Sequence, residues 1–130
     1  MDTGALGKAY TDGQIIIHQG EMGDCMYVIQ EGEVEVLQVI NGHEIHLAQL
    51  KAGDFFGEMA IFEREVRSAT VRALGSVRIL TIDQKNFLRR IHQDPSLAYR
   101  MVQVMSHRIR EMNKEITRLK STESLAVQQD

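Results

Sequence analysis

Residues Gly53 to Val71 read GDFFGEMAIFEREVRSATV, and this stretch sets a carboxylate and a guanidinium at fixed spacing within a turn of backbone donors. Phe56-Gly57-Glu58-Met59-Ala60 reads as a loop entering one short helical turn. The glycine there lets the backbone approach a ligand closely while successive amides point outward. Nine residues after Glu58 comes Arg67, followed by Ser68, Ala69 and Thr70. Free amides, one arginine and a hydroxyl suit a phosphate diester, because a guanidinium makes forked, charge-assisted bonds to its oxygens. A carboxylate beside such a site would repel the phosphate, so Glu58 makes sense as an acceptor for a neutral group on the same ligand. A ribose hydroxyl is the obvious donor, and the pair reads as a nucleotide reader. The bland alternative is a surface ion pair between Glu58 and Arg67, worth little by itself.

Outward from this stretch, the chain has 130 residues, which fits one domain able to bury a real core without disulfides or metals. Its net charge of −3 gives no basic footprint for nucleic acid. The single cysteine, Cys25, has no partner for an intramolecular disulfide and reads as a packed small hydrophobe in a reducing compartment. No basic-then-apolar leader opens the chain, and no run approaches the ~18 apolar residues of a membrane span. The expectation is a soluble, cytoplasmic protein that does not engage membranes.

Residues 1–11 are small and glycine-containing without periodicity, and read as a frayed lead-in. From Asp12-Gly13 to residue 82 come short apolar segments punctuated by glycine: QIIIHQG, MYVIQEG, VEVLQVING, EIHLAQLKAG, SATVRAL and VRILTI. Alternation is clearest at Val34-Glu35-Val36-Leu37, and Asn41-Gly42 is the strongest hairpin signal. The texture predicts about eight short antiparallel strands, which close most economically as a jelly-roll or small barrel because closure removes unpaired edges.

After the strands the period changes from two to 3.6 over residues 83–120. Asp83 is a candidate N-cap for a short helix from Gln84 to His92, with Phe87, Leu88 and Ile91 packing under the barrel. Asp94-Pro95 restarts the chain, with Asp94 capping and Pro95 at the first helical position. One long helix is predicted over 95–120. Val102, Met105, Ile109, Met112, Ile116 and Leu119 fall at alternating spacings of three and four, the seam of a coiled coil. This favours a parallel homodimer over a helix lying on its own barrel. Residues 121–130 read as a tail.

Metal and nucleophilic chemistry find little support. His43 and His46 are three apart on a predicted strand and face opposite sides, and His18, His92 and His107 have no partner at ligand spacing. The serines and Cys25 sit in no elbow or dyad motif.

Phe56-Gly57-Glu58-Met59-Ala60 followed by Arg67-Ser68-Ala69-Thr70 resembles the phosphate-binding cassette of the cyclic nucleotide-binding domain family, F-G-E-x-A then R-[AST]-A-[TS], here spanning 56–70. Gly20-Glu21-Met22-Gly23-Asp24 with Tyr27 and Gly32 is similar to that family's G-x-x-G-D-x-x-Y-x-I-x-x-G, which extends the likeness to most of the chain. The resemblance implies an eight-stranded antiparallel jelly-roll followed by a short and a long helix. It implies that Glu58 holds the ribose 2′-hydroxyl, and that Arg67 holds the cyclic phosphate with the amides of Gly57, Glu58, Met59, Ala60, Ser68 and Ala69. Val36 and Leu47 would stand beside the nucleotide, although either could be core. Ser68 leaves the choice between cAMP and cGMP open. Many members have a Gly and a Pro between the Glu and the Arg, where this chain has Glu63-Arg64-Glu65-Val66, so the loop is expected to be stiffer or more helical.

The segment DPSLAYRMVQVMSHRIREMNKEI is similar to the dimerisation helix of the catabolite activator and fumarate–nitrate regulators. That likeness implies that Arg108 approaches the phosphate and Glu58, and that Met112 and Asn113 stand near the purine. Those regulators continue into a DNA-binding helix-turn-helix, for which this sequence has no room, so no DNA binding is expected of it; it reads either as a free-standing sensor that acts on another protein or as a piece cut from a larger one. The reading is a non-catalytic sensor of cAMP or cGMP, with no cofactor and no metal, that couples occupancy to its long helix and acts on an effector protein. Rival readings are a scaffold or dimerisation module that has lost its ligand, a cupin-type metal enzyme, and, within the binding class, a cyclic dinucleotide as ligand.

Overall fold

A computed structural model describes residues 7–128, with side chains described from 7 to 123. In order the elements are β1 (Lys8–Tyr10), β2 (Ile15–Ile17), β3 (Met22–Gly23), β4 (Cys25–Ile40), β5 (His43–Lys51), β6 (Phe55–Phe56), α1 (Met59–Phe62), β7 (Glu65–Val66), β8 (Thr70–Asp83), α2 (Gln84–Gln93) and α3 (Ser96–Gln128). All strand pairings are antiparallel, and the strands precede the two longer helices, as the glycine-punctuated texture predicts. The chain divides between Leu88 and Arg89 into two units.

In the first unit the frame is the β4–β8 ladder, flanked by β1 and β2 on β8 and by β5 and β6 on β4. Segments read as separate strands are fused: MYVIQEG runs into VEVLQVI, and TVRAL into VRILTI. The fusion is possible because each joint is a glycine at positive φ, Gly32 at 87° and Gly75 at 71°, where pairing skips between Glu31 and Glu33. A β-carbon on Gly32 would meet the Ser76 carbonyl oxygen at 2.4 Å, so the bend demands that residue. Asn41-Gly42 makes the predicted hairpin, with Ile40 opposite His43.

Alternation along β4 and β8 puts Ile29 opposite Ile79, Val34 opposite Ala73 and Val36 opposite Val71. The first two pairs are at most 1% exposed and form the centre of the core with Ile17, Phe56 and Val77. Each fully buried aliphatic side chain there contributes about 1.5–3 kcal/mol.

Outside the core, Arg72 ties three strands together. It donates to Glu35 through Nε at 3.2 Å and Nη2 at 2.6 Å, and to Glu44 through Nη1 at 3.3 Å, while His46 Nδ1 lies 2.9 Å from Glu35. The Arg72 guanidinium first, and His46 second, hold the Glu35 carboxyl below the usual carboxylate range. A carboxyl lowered on folding stabilises fully above its unfolded range, and that contribution is lost as pH falls through the lowered value. The melting-temperature gap between wild type and Glu35→Gln should therefore be widest near neutrality and narrow as pH falls below the usual carboxylate range. A gap independent of pH would show that the carboxylate charge contributes nothing.

Three sequence expectations are corrected. Residues 8–10, placed in the lead-in, form β1 against Val77–Ile79, since Tyr10 buries its ring in the core; residues 1–6 lie outside the described residues. The cassette loop is not helical after Phe62: Glu65 and Val66 extend as β7 and pair with Gly23 and Met22. The long helix does not stop at Lys120. It runs to Gln128, because residues 121–128 contain neither glycine nor proline, and Thr122 Oγ1 bonds back to the Arg118 carbonyl at 2.9 Å. The last two residues of the expected tail lie outside the described residues.

The predicted caps are present. Asp83 Oδ1 accepts from Asn86 N at 2.8 Å, and Asp94 Oδ1 accepts from Ser96 N at 3.2 Å with the Leu97 amide on the Asp94 carbonyl at 3.0 Å. Phe87 is buried and meets Phe62 edge-on at 5.9 Å, while Leu88 is exposed. In the second unit, Val102, Ile109, Met112, Ile116 and Leu119 on α3 are all about half exposed or more, and Met105 is half-buried. No helix among the described residues is long and apolar enough to cross a membrane.

Candidate functional site

The cassette is anchored before it begins. Phe55 and Phe56 pair with Val28 and Tyr27 of β4, both are buried, and the Phe56 ring stacks on Tyr27 at 5.2 Å. Gly57, at a φ of 73°, turns the chain from this strand into α1, a conformation that a β-carbon would resist. Ala60 and Ile61 are buried and pin the short helix, leaving Met59 exposed. The amide of Ala60 closes the turn on the Gly57 carbonyl at 3.3 Å, so any ligand contact from that amide has to compete with this bond.

Arg67 reaches the same place from the other side. Its backbone is clamped onto the preceding glycine turn, N–H to the Glu21 carbonyl and C=O from the Gly20 amide, each at 2.8 Å. Its side chain donates from Nη1 to the Gly57 carbonyl at 3.0 Å and from Nη2 to the Cys25 carbonyl at 2.6 Å, and the guanidinium carbon lies 5.8 Å from the Tyr27 ring centroid. Arg67 is half-buried and makes no ion pair among the described residues. The Glu58–Arg67 surface pair is thus not formed. Carbonyls orient a guanidinium without neutralising it, so a partly desolvated positive charge stays available to an anion.

Gly23 supplies the floor of this slot, a role that its place in the G-x-x-G-D likeness did not suggest. A β-carbon there would stand 2.1 Å from Arg67 Nε and 2.4 Å from Cζ. The signal for it lay in spacing that only pairing reveals: Gly23 faces Glu65, two residues before Arg67. The cavity behind the guanidinium, about 90 Å³ and lined by Ile17, Gly23, Cys25 and Tyr27 among others, is below the roughly 300 Å³ at which small-molecule pockets begin. It is room behind Arg67 and not a nucleotide cavity.

The structure brings Gly57, Glu58, Met59, Ala60, Arg67, Ser68 and Ala69 together in the first unit. Glu58 is half-buried, Ser68 exposed and Ala69 half-buried. Val36, opposite Val71, packs against the core. Leu47 falls at the β4–β5 bulge between the pairs Val36–Ala48 and Leu37–His46 and is 50% exposed, so it is not core. Arg108 and Asn113 stand on α3 in the second unit, half-buried and exposed respectively. Cys25 is half-buried and contributes its carbonyl. Among the described residues no group of three or more His, Cys, Asp or Glu side chains is placed to hold a metal ion.

A model described as the cyclic nucleotide-binding domain matches residues 8–94. The chain is similar to the cAMP-dependent protein kinase regulatory subunit of Blastocladiella emersonii, 39% identical over 82 residues, covering 62% of this chain and 20% of that protein. It is similar to the cGMP-dependent protein kinase egl-4 of Caenorhabditis elegans, 45% identical over 83 residues, covering 60% of this chain and 10% of that protein. Among solved structures, the Thermus thermophilus catabolite activator protein superposes with a TM-score of 0.79 at 29% identity, covering 87% of this chain and 54% of that one. The chain therefore spans about half of the last protein and a fifth or less of the other two.

Proposed function

The chain belongs to the cyclic nucleotide-binding domain family, and from that premise we propose that it is a regulatory sensor that binds cAMP or cGMP and catalyses nothing itself. The observation that carries this reading is the half-buried guanidinium of Arg67, aimed by two neutral carbonyls and left with its charge. In this reading Arg67 pairs with the cyclic phosphate, joined by amides from Gly57 to Ala60 and by those of Ser68 and Ala69. Glu58 accepts from the ribose 2′-hydroxyl. Leu47, exposed at its bulge, and Val36 flank the nucleotide, and the Ser68 hydroxyl serves the base.

The apolar seam of α3 carries the output. Five of its six positions are exposed in a single chain, and an apolar stripe of that spacing is stabilised by pairing with a second copy. Ligand that binds one placement of α3 better than another shifts the population toward it by its differential affinity. An effector protein then reads the change.

Calorimetric titration with cAMP and with cGMP tests the reading, using 5′-AMP as the acyclic control. The expected result is saturable heat and a raised melting temperature with at least one cyclic nucleotide, and much weaker binding of the dianionic monophosphate. No heat and no thermal shift with either cyclic nucleotide would overturn it in favour of a scaffold module.

A further inference from the structure

The β4–β8 ladder stops abruptly at the site. Its last pairs are Val36 with Val71 and Leu37 with Thr70. The same register carried two residues further would set Ser68 opposite Val39, and β4 does continue to Ile40. Val39 instead exchanges both its backbone bonds with a side chain: its N–H donates to Gln19 Oε1 at 2.7 Å, and its carbonyl accepts from Gln19 Nε2 at 3.1 Å. These are the two bonds a facing strand residue would make. The Gln19 amide occupies the place of a peptide.

The displaced segment is held at its new distance. Ser68 C=O, deprived of Val39, accepts from Gln38 Nε2 at 2.9 Å, and the Gln19 backbone N–H donates to the Thr70 hydroxyl at 3.0 Å. Among the described residues, neither the Ser68 nor the Ala69 N–H donates to another backbone or side-chain group. In a continued ladder the Ser68 N–H would be spent on the Val39 carbonyl.

We propose that Gln19 is a wedge that ends the ladder at Thr70, with Gln38 as its strut, and that together they keep the Ser68 amide unpaired for the ligand. Both are positioning residues that touch no ligand, and the inference rests on the reading that this amide meets the cyclic phosphate. Truncating the wedge lets β8 zip onto β4 by two more residues. Gln38→Met, close in shape but without a donor, releases the Ser68 carbonyl and frees its peptide to rotate.

The test is amide hydrogen exchange by NMR on the full chain, beside nucleotide titration. In Gln19→Ala the Ser68 amide should exchange roughly tenfold more slowly or more than in wild type, as a newly paired group does. Affinity should fall roughly five- to thirtyfold in Gln19→Ala and about fivefold in Gln38→Met, the scale of one or two hydrogen bonds and a loosened support. A variant that merely destabilised the fold would speed exchange there, so faster or unchanged exchange at Ser68 in Gln19→Ala overturns the wedge. Unchanged affinity in both variants, with wild type binding tightly, overturns their link to the site. If wild type binds no cyclic nucleotide the sensor reading fails, and slowed exchange at Ser68 still decides for or against the wedge.

Discussion

Arg67→Ala should lose about 2–5 kcal/mol of cyclic nucleotide affinity, the cost of leaving a partly desolvated phosphate without its countercharge. The geometry argues for the upper part of that range. Nη1 and Nη2 are already committed to the Gly57 and Cys25 carbonyls, so the rotamer is ordered before ligand arrives and little side-chain entropy remains to be lost. Arg67→Lys separates charge from shape. A compact ammonium cannot span both carbonyls and still fork onto a phosphate, so lysine should retain part of the affinity and lie between wild type and alanine. Melting of the unliganded protein should fall only modestly, because both carbonyls sit in a half-open slot where water can replace the lost donors. Calorimetry with all three proteins settles it; alanine binding as tightly as wild type would remove Arg67 from the site.

What could be read without coordinates was whatever is encoded locally. The Phe56–Ala60 turn, the Asn41-Gly42 hairpin and the Asp83 and Asp94 caps each depend on two to five consecutive residues, and each formed as expected. The errors arose where pairing across the sheet decides conformation. Lys8 to Tyr10 has no alternation to announce a strand, yet β8 supplies an edge for it. Glu63 to Val66 lacks the glycine and proline expected of a loop and so suggested helix. It is drawn out instead by Met22-Gly23, where the pairing sets Arg67 over Glu21. Glycines marked turns but not what would fill them. Gln19 and Gln38 carried no signal at all, because a side-chain amide standing in for a peptide is visible only when both strands are in place.

Gly23→Ala should weaken cyclic nucleotide binding roughly ten- to a hundredfold, although residue 23 touches no ligand in the proposed mode. Gly23 is buried and lies outside the positive-φ glycines, so alanine adopts its backbone without strain and the pairing with Glu65 can persist. What cannot persist is the position of Arg67. The new β-carbon would overlap Nε at 2.1 Å, Cζ at 2.4 Å and Cδ at 2.8 Å, and relief to ordinary contact requires the guanidinium to retreat by about 1 Å or more. Such a shift draws Nη1 and Nη2 off their carbonyls and misaims the fork, which costs affinity where the phosphate pairs with it and little stability elsewhere. Combination separates this account from a general loosening of the β3–β7 corner. If Gly23 acts only through Arg67, the double variant Gly23→Ala with Arg67→Ala should bind no more weakly than Arg67→Ala alone, since the slot no longer has an occupant to displace. Additive losses would mean that the corner matters to the ligand by another route, and unaltered binding by Gly23→Ala would mean that the guanidinium finds its partner from more than one pose.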